Sequence, residues 1–521
     1  MRKFNVTGLC IPGKHYMADT GEKIAAIVDM VEEGLYLHIT CARQYGKTTT
    51  LFLLDRALSA DYTVIRISYE GQGDVMFEDE ASFCRMLLQL CAVDLERQKL
   101  SGTDVWNDDS ITNFHLLGRF ITKVCQDKKI VLMIDEVDKM SNNFVFLRFL
   151  GLLREKYLFR QEDRDFTFHS VVLAGVHDIR NLKNKMIQAG THQLQDGEVR
   201  ILSPWNIAAN FNIDMSLSVK EIASMLVEYE KDHDTGMDIG AVSKEIRSYT
   251  NGYPYLVSRI CQAIENELDR DWSENGVHRA IKIMLRDKTT LVDDIAKNLA
   301  NNRELYDLMF SIVAQGERYT YNMLDIAMDL GLTFGFLIKQ DNNVVVGNVF
   351  FELVLYEYFI HRMKIEKKTL REDLDSEVVF DNKFNMQLTI EKFTAHYYEM
   401  YRDAKKKFME NECRMLFLTY LAPLINGNGF CHVESETRNA RRMDLIVDYN
   451  TDQFIVELKL WYGEVSHEKA LDQIAGYLDS KNKDAGYLLT FDFRKEDNTG
   501  KPKAQWVEHK GKKIFDMMVG V

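Results

Sequence analysis

The run "LYLHIT" (35–40) leads directly into "CARQYGKTTT" (41–50), and "TTTLFLLDRAL" continues with helical spacing. A strand that turns over Gly-Lys-Thr into a helix presents backbone N–H groups beyond the strand's carboxyl end, and this fixes the first layer of the fold. Further apolar, β-branched runs follow at "YTVIRISY" (62–69), "KIVLMIDEV" (129–137) and "SVVLAGV" (170–176), separated by helical stretches such as "ASFCRMLLQLCAVDLERQ". Continuous apolar strands alternating with helices imply an α/β fold with a parallel sheet covered on both faces.

The loop departs from the full G-x-x-x-x-G-K-[ST] phosphate-binding pattern, because Cys41 stands where the first glycine belongs. The remaining chemistry is present. Gly46 lets the backbone aim its N–H groups at phosphate, Lys47 brings a cation to the β and γ oxygens, and Thr48 offers a hydroxyl to Mg²⁺. Arg43, Gln44, Tyr45, Gly46, Lys47, Thr48 and Thr49 are therefore the candidate nucleotide-binding residues. The strand "IVLMIDEVDKM" ends in Asp135-Glu136, where the first carboxylate supports Mg²⁺ and the second polarises an attacking water. Asp138 reads as a helix-start residue; His177 is either a γ-phosphate sensor or a solvated strand-end residue. ATP with Mg²⁺ is the implied ligand.

A chain of 521 residues, 46% hydrophobic and 28% charged, has material for roughly three or four domains of about 100–200 residues. Its net charge of -14 excludes a protein that coats nucleic acid through its whole surface and leaves room only for a local basic groove. Eight cysteines without a C-x-x-C pair fit a reducing compartment, and no apolar run approaches the roughly 20 residues of a membrane span. The expectation is a soluble cytoplasmic protein with no membrane partner.

Five segments emerge: 1–214, the phosphate-loop core; 215–300, a helical lid; 301–365, a winged-helix-like module; 366–384, a linker; and 385–521, a carboxy-terminal α/β domain. Asp19 with Glu22 predicts a capping box at the first helix, and Asp341, Asn342 and Asn343 predict a hairpin turn in the third segment. The charged stretch "KIEKKTLREDLDSE" (364–377) reads equally as linker or solvated helix.

A second constellation lies in "RRMDLIVDYNTDQFIVELKLW": Asp444, a turn, then Glu457-x-Lys459 on the next strand. Two carboxylates on adjacent strands can hold Mg²⁺ or Mn²⁺ beside a scissile phosphate, and alternation puts Glu457 and Lys459 on one face. On the following helix, Gln473 and Tyr477 stand at i and i+4 in "QIAGY". Glu412, with Glu410 as its competitor, is the candidate upstream acid. Arg438, Arg441 and Arg442, with Lys405, Lys406 and Lys407, are either a phosphate-binding patch for DNA or a solvated face.

The first constellation resembles bacterial AAA-like ATPases with an R-Q-Y-G-K-T loop, an "S-P-x-N-I-A" segment and a "T-x-G-x-P-Y-L" lid turn. Here these read "ARQYGKTTTL", "SPWNIAANF" (203–211) and "YTNGYPYLV" (249–257). The resemblance implies that a loop beginning with Cys41 is the family's usual form. The second constellation resembles the PD-(D/E)XK nuclease superfamily in its RecB-like branch, whose Q-x-x-x-Y element supports the active site. These resemblances imply an ATPase fused to a restriction-endonuclease-like domain, with roles in phage defence or mobile-element biology. The rival is a nucleotide-dependent switch or scaffold that binds DNA or a protein without cutting; a motor along DNA ranks last. AAA-like sites are often completed by a neighbouring subunit's arginine, so a homo-oligomer is open, with Arg154, Arg160 and Arg180 as candidates.

Overall fold

The computed structural model describes residues 2–100, 103–137, 144–176, 205, 207–209, 211, 213–287, 289–315, 317–367, 378–380, 383–401, 410–425, 429–434, 444–450, 452–492 and 503–520. It divides into two units: residues 1–272 with 332–335, and residues 273–331 with 336–521. The boundary falls inside the 215–300 stretch that the sequence presents as one helical segment.

In the first unit, helix α1 (Gly21–Glu32) precedes strand β1 (Leu37–Thr40), and α2 (Lys47–Leu58) leads to β2 (Thr63–Ser68). Then come α3 (Glu80–Arg97), α4 (Phe114–Cys125), β3 (Ile130–Asp135), α5 (Phe144–Gln161) and β4 (Ser170–Gly175). The strands pair in parallel in the order β1-β4-β3-β2. Alternation sorts their side chains into two cores. Leu37, Ile39, Val131, Met133 and Val172 pack against α1 and α2, whereas Ile65, Ile67, Leu132, Ile134 and Leu173 pack against α3, α4 and α5. Each fully buried Val, Leu or Ile side chain contributes about 1.5–3 kcal/mol relative to exposure. The two-sided covering expected from the sequence is observed.

The first helix starts differently from its expectation. Thr20 is its N-cap with no side-chain cap bond, while Asp19 Oδ1 accepts from Gly21 N at 3.0 Å and Glu22 pairs with Lys220 at 2.7 Å. The capping box is absent because the helix takes Thr20 rather than Asp19 as its N-cap, which leaves Glu22 at the second helical position instead of the third. Among the described residues three further helices belong to this unit: α6 (Val219–His233), α7 (Ile239–Thr250) and α8 (Pro254–Glu267).

A buried charge braces the far side of this unit. Lys156 on α5, 3% exposed, lies 2.5 Å from Asp165 Oδ2 and donates to Thr122 Oγ1 at 2.7 Å. Burial pushes the Asp165 carboxyl up, but hydrogen bonds from Lys156 and Thr122 outweigh it and hold the group below the usual carboxylate range. A depressed folded pKa gives stability that is present above the unfolded value of about 3.9 and is lost as pH falls through the folded one. Asp165→Asn is expected to lose about 3 kcal/mol at pH 7, the cost of a buried cation without its carboxylate, and to flatten the acid limb of the stability curve. Denaturant melts at pH 7 and pH 3 read this; parallel curves for variant and wild type would contradict it.

In the second unit, α9 (Glu274–Arg286), α10 (Thr290–Asn301) and α11 (Arg303–Phe310) precede a three-stranded antiparallel sheet of β5 (Tyr319–Thr320), β6 (Leu337–Gln340) and β7 (Asn343–Val346), with α12 (Ile326–Thr333) between. The hairpin expected at Asp341 and Asn342 is present, with φ of +47° and +66°, while Asn343 opens β7. Helix α13 (Val349–Lys367) and the small pair β8 (Val379–Phe380) and β9 (Lys383–Phe384) follow. Residues 368–377 of the candidate linker lie outside the described residues.

The carboxy-terminal part holds α14 (Met386–Tyr401), α15 (Glu410–Ile425), β10 (Gly429–Glu434), β11 (Asp444–Tyr449), β12 (Asp452–Leu460), α16 (Glu464–Ser480), β13 (Ala485–Asp492), β14 (Lys503–His509) and β15 (Lys512–Gly520). Its six strands run in the order β10-β11-β12-β13-β15-β14. Ile474, Ala475, Tyr477 and Leu478 of α16 pack on Ile446, Ile455, Leu488 and Ile514 of one face. On the other face, Phe393 of α14 meets Phe417 of α15 and Phe491 of β13. Among the described residues no helix is long and apolar enough to cross a membrane.

Candidate functional site

The phosphate loop sits at the carboxyl end of β1. Gly46 caps α2 with φ +81°, a left-handed conformation that favours glycine, and Gln44 also has positive φ at 59°. Lys47 is 6% exposed, and its Nζ donates to the carbonyls of Cys41 at 2.9 Å and Ala42 at 3.0 Å. The ammonium is thus held inside the bend of the loop. Cys41 N donates to Gly175 O, so the residue in the missing glycine's place continues the pairing with β4.

Strand β4 lies between β1 and β3, and the end of β3 still reaches the loop: Thr48 Oγ1 donates to Asp135 Oδ2 at 2.7 Å. Asp135 is 5% exposed and takes Glu136 N on its other oxygen at 2.9 Å. Glu136 has φ +57°, so the chain turns sharply where the second acid leaves the strand. The paired hydroxyl and carboxylate fit Mg²⁺, which takes few protein ligands besides phosphate and water.

Two elements join this site that sequence patterning alone leaves apart. Cys10 N donates to Thr49 Oγ1 at 3.2 Å, which brings the amino-terminal segment onto the first turn of α2. Tyr253, from the "YTNGYPYLV" turn, sets its ring edgewise against Tyr45 at 4.5 Å and donates its hydroxyl to Arg43 O. Burial, with Asp214 and Cys41 nearby, pushes the Tyr45 hydroxyl up to about 12. The neighbouring Gly252 has φ +71°, and a Cβ there would lie 2.1 Å from Leu217 O. Gly252→Ala is expected to cost about 3 kcal/mol through overpacking and backbone strain, lowering Tm by about 6–12 °C. A thermal melt within 2 °C of wild type, to order of magnitude no effect, would rule out that tight approach.

Arg160, one candidate for completing a neighbour's site, is engaged elsewhere. Its guanidinium donates to Phe168 O, His169 O and Gly34 O, ahead of β4 and β1, at the end of these strands opposite the loop. Arg154 lies on α5. Arg180, His177, Asp138 and residues 203–204 of "SPWNIAANF" lie outside the described residues.

In the second unit, antiparallel register places Asp444 directly opposite Glu457. Glu457 is 0% exposed, and its carboxylate forms an ion pair with Lys459 Nζ at 2.7 Å, without hydrogen-bond alignment. Parallel pairing sets Thr490 of β13 beside Lys459, and the Thr490 hydroxyl is buried with no hydrogen-bond partner among the described residues. A fully buried carboxylate with one cation beside it and oxygens free of donors fits a divalent cation. Among the described residues no three His, Cys, Asp or Glu side chains are grouped to hold one, and the Asp444 side chain is not among those described.

Gln473 is half-buried on α16, and Tyr477 belongs to the core under that helix, its hydroxyl buried without a hydrogen-bond partner among the described residues. Glu412 and Glu410 lie on α15, but their side chains are outside the described set, as are Arg438, Arg441, Arg442, Lys405, Lys406 and Lys407 entirely.

The model of the AAA-like domain family matches residues 13–360, more than half of the chain. Among solved structures, the Walker-type ATPase PABY2304 of Pyrococcus abyssi is 11% identical with a TM-score of 0.46, the match covering 68% of this chain and 99% of that one. The RuvB Holliday junction branch migration motor of Thermotoga maritima is 14% identical with a TM-score of 0.33, covering 64% and 92%. The ORC2 protein of Aeropyrum pernix in its ADP form is 12% identical with a TM-score of 0.34, covering 69% and 97%. No curated protein matches the sequence. The chain belongs to the AAA-like domain family, and its amino-terminal unit carries that family's ATP-binding P-loop.

Proposed function

We propose that this chain hydrolyses ATP at Lys47, Thr48, Asp135 and Glu136, and that nucleotide state gates a metal-dependent DNA nuclease site at Asp444, Glu457 and Lys459. At the first site Lys47 would neutralise phosphate charge, Thr48 and Asp135 would hold Mg²⁺, and Glu136 would orient and deprotonate water. The bound ion would supply charge neutralisation between the phosphates.

The second site rests on one observation above all: Asp444 faces Glu457 across the β11–β12 pair while Lys459 stands 2.7 Å from the buried Glu457 carboxylate. Mg²⁺ or Mn²⁺ held there would polarise the scissile phosphate, and Lys459 would position water beside it. Gln473 and Tyr477 on α16 then act as supports, with Glu412 or Glu410 completing the acids. The module at 301–365, with its three-stranded sheet, reads as winged-helix-like, and Arg438, Arg441 and Arg442 as a phosphate-binding patch for DNA. Genome conflict, in phage defence or mobile elements, is the setting that the family resemblance suggests.

The test is cleavage of linear, circular and single-stranded DNA with Mg²⁺ or Mn²⁺, with and without ATP. Cutting that responds to ATP supports the reading. Nucleotide binding without cutting under any condition favours the switch-and-scaffold alternative, which has its own support in Met323 and Leu324, exposed ahead of α12, and Ile326, exposed at its first position.

A further inference from the structure

Strand β12 ends at Leu460, and the chain crosses to α16 through Trp461, Tyr462 and Gly463. This crossing is pinned on both sides. Trp461 N donates to Phe491 O at 2.8 Å, and the indole lies 5.2 Å from the His467 ring. His467 Nε2 in turn lies 2.9 Å from Asp516 Oδ2, which is buried on β15. Gly463, at φ +110°, accepts from Ser466 N and His467 N and so opens the helix.

On this fixed loop Tyr462 is 75% exposed and Val465 is 70% exposed. No other aromatic side chain among the described residues is as open to solvent. Scattered apolar residues are ordinary on surfaces. Here, however, a tyrosine and a valine three positions apart follow Lys459 on backbone that is hydrogen-bonded at Trp461, Ser466 and His467. A planar face on a rigid mount binds at little ordering cost.

We propose that Tyr462, backed by Val465, is a stacking platform for an unpaired nucleobase, so that the β11–β12 site favours single-stranded or frayed ends of nucleic acid. The proposal rests on the nuclease reading above for its position beside a phosphate site. Three residues of extended chain span at most about 10 Å, so the platform stands close to the phosphate that Lys459 would contact. Bases inside a duplex are stacked on both faces and offer nothing to a phenol ring; an unstacked base does. The contact is also neutral, so it needs no cluster of lysines and arginines in a chain of net charge -14.

The experiment uses the full chain with a single-stranded oligonucleotide carrying 2-aminopurine, whose fluorescence is quenched by stacking, alongside cleavage of matched single- and double-stranded substrates. Wild type and Tyr462→Phe should quench the probe and Tyr462→Ala should not. Tyr462→Ala should bind the single strand about 10- to 100-fold more weakly, and its ratio of single- to double-strand cleavage should fall accordingly. Equal quenching and an equal cleavage ratio in Tyr462→Ala and wild type overturn the platform while leaving the nuclease reading intact. Quenching lost in Tyr462→Ala, with no cutting by wild type, keeps the platform and removes the nuclease; no quenching by wild type removes the platform whatever is cut.

Discussion

Lys47→Ala is expected to bind ATP about 30- to 150-fold more weakly than wild type, the equivalent of about 2–3 kcal/mol for charge-assisted bonds to phosphate. Among the described residues the ammonium is held in the loop by the Cys41 and Ala42 carbonyls. Glu136→Gln should separate binding from hydrolysis: the nucleotide is retained, and turnover falls about 10²- to 10⁴-fold with the lost base. Equilibrium binding of a fluorescent ATP analogue, followed by phosphate release, reads both variants. Wild-type affinity in Lys47→Ala would exclude this loop as the phosphate site.

The second large effect is expected at Glu457. Replacing it with glutamine keeps the shape and removes the charge, so cleavage should fall about 10²- to 10³-fold while the fold is retained. Lys459→Ala should also lose cleavage, but it strands a fully buried carboxylate and costs about 3–5 kcal/mol in stability. A melt beside each activity assay therefore separates the chemical loss from the structural one. Wild-type cutting by Glu457→Gln would remove the carboxylate from the reaction and with it the proposed nuclease centre.

Much of the first unit is legible in the sequence because its signals are local. Strands such as "IVLMID" are apolar at every position before the terminal aspartate, which a doubly covered parallel strand requires, and the Gly-Lys-Thr turn carries its own geometry. The Asp19–Glu22 reading failed because the helix takes Thr20 as its N-cap, which leaves Glu22 one position short of the capping-box site and paired instead with Lys220, 198 positions away. Tyr253 on Tyr45 and Cys10 on Thr49 are likewise contacts between distant segments, and no spacing rule reports them. In the second unit, alternation puts Glu457 and Lys459 on one face, but the sequence does not state which residue of β11 stands across from them. The structure supplies that register, along with the His467–Asp516 pair, whose members are 49 residues apart. Asp516 stabilises the protonated imidazole and raises the His467 pKa above its ordinary value, so this tether is complete below the free imidazole's range and loosens as pH rises through the folded value.

The hairpin that joins β11 to β12 turns at Asn450, with φ +52°, and its length sets the pairing of every residue behind it. That turn works as a reading frame for the sheet. A one-residue slip of register there would shift the partner of Asp444 from Glu457 to an apolar neighbour on the other face, separating the acids of the proposed centre with each of its chemical groups still in the chain. Loss of function in related chains can then be written in loop length alone, where a comparison of catalytic letters would find nothing missing.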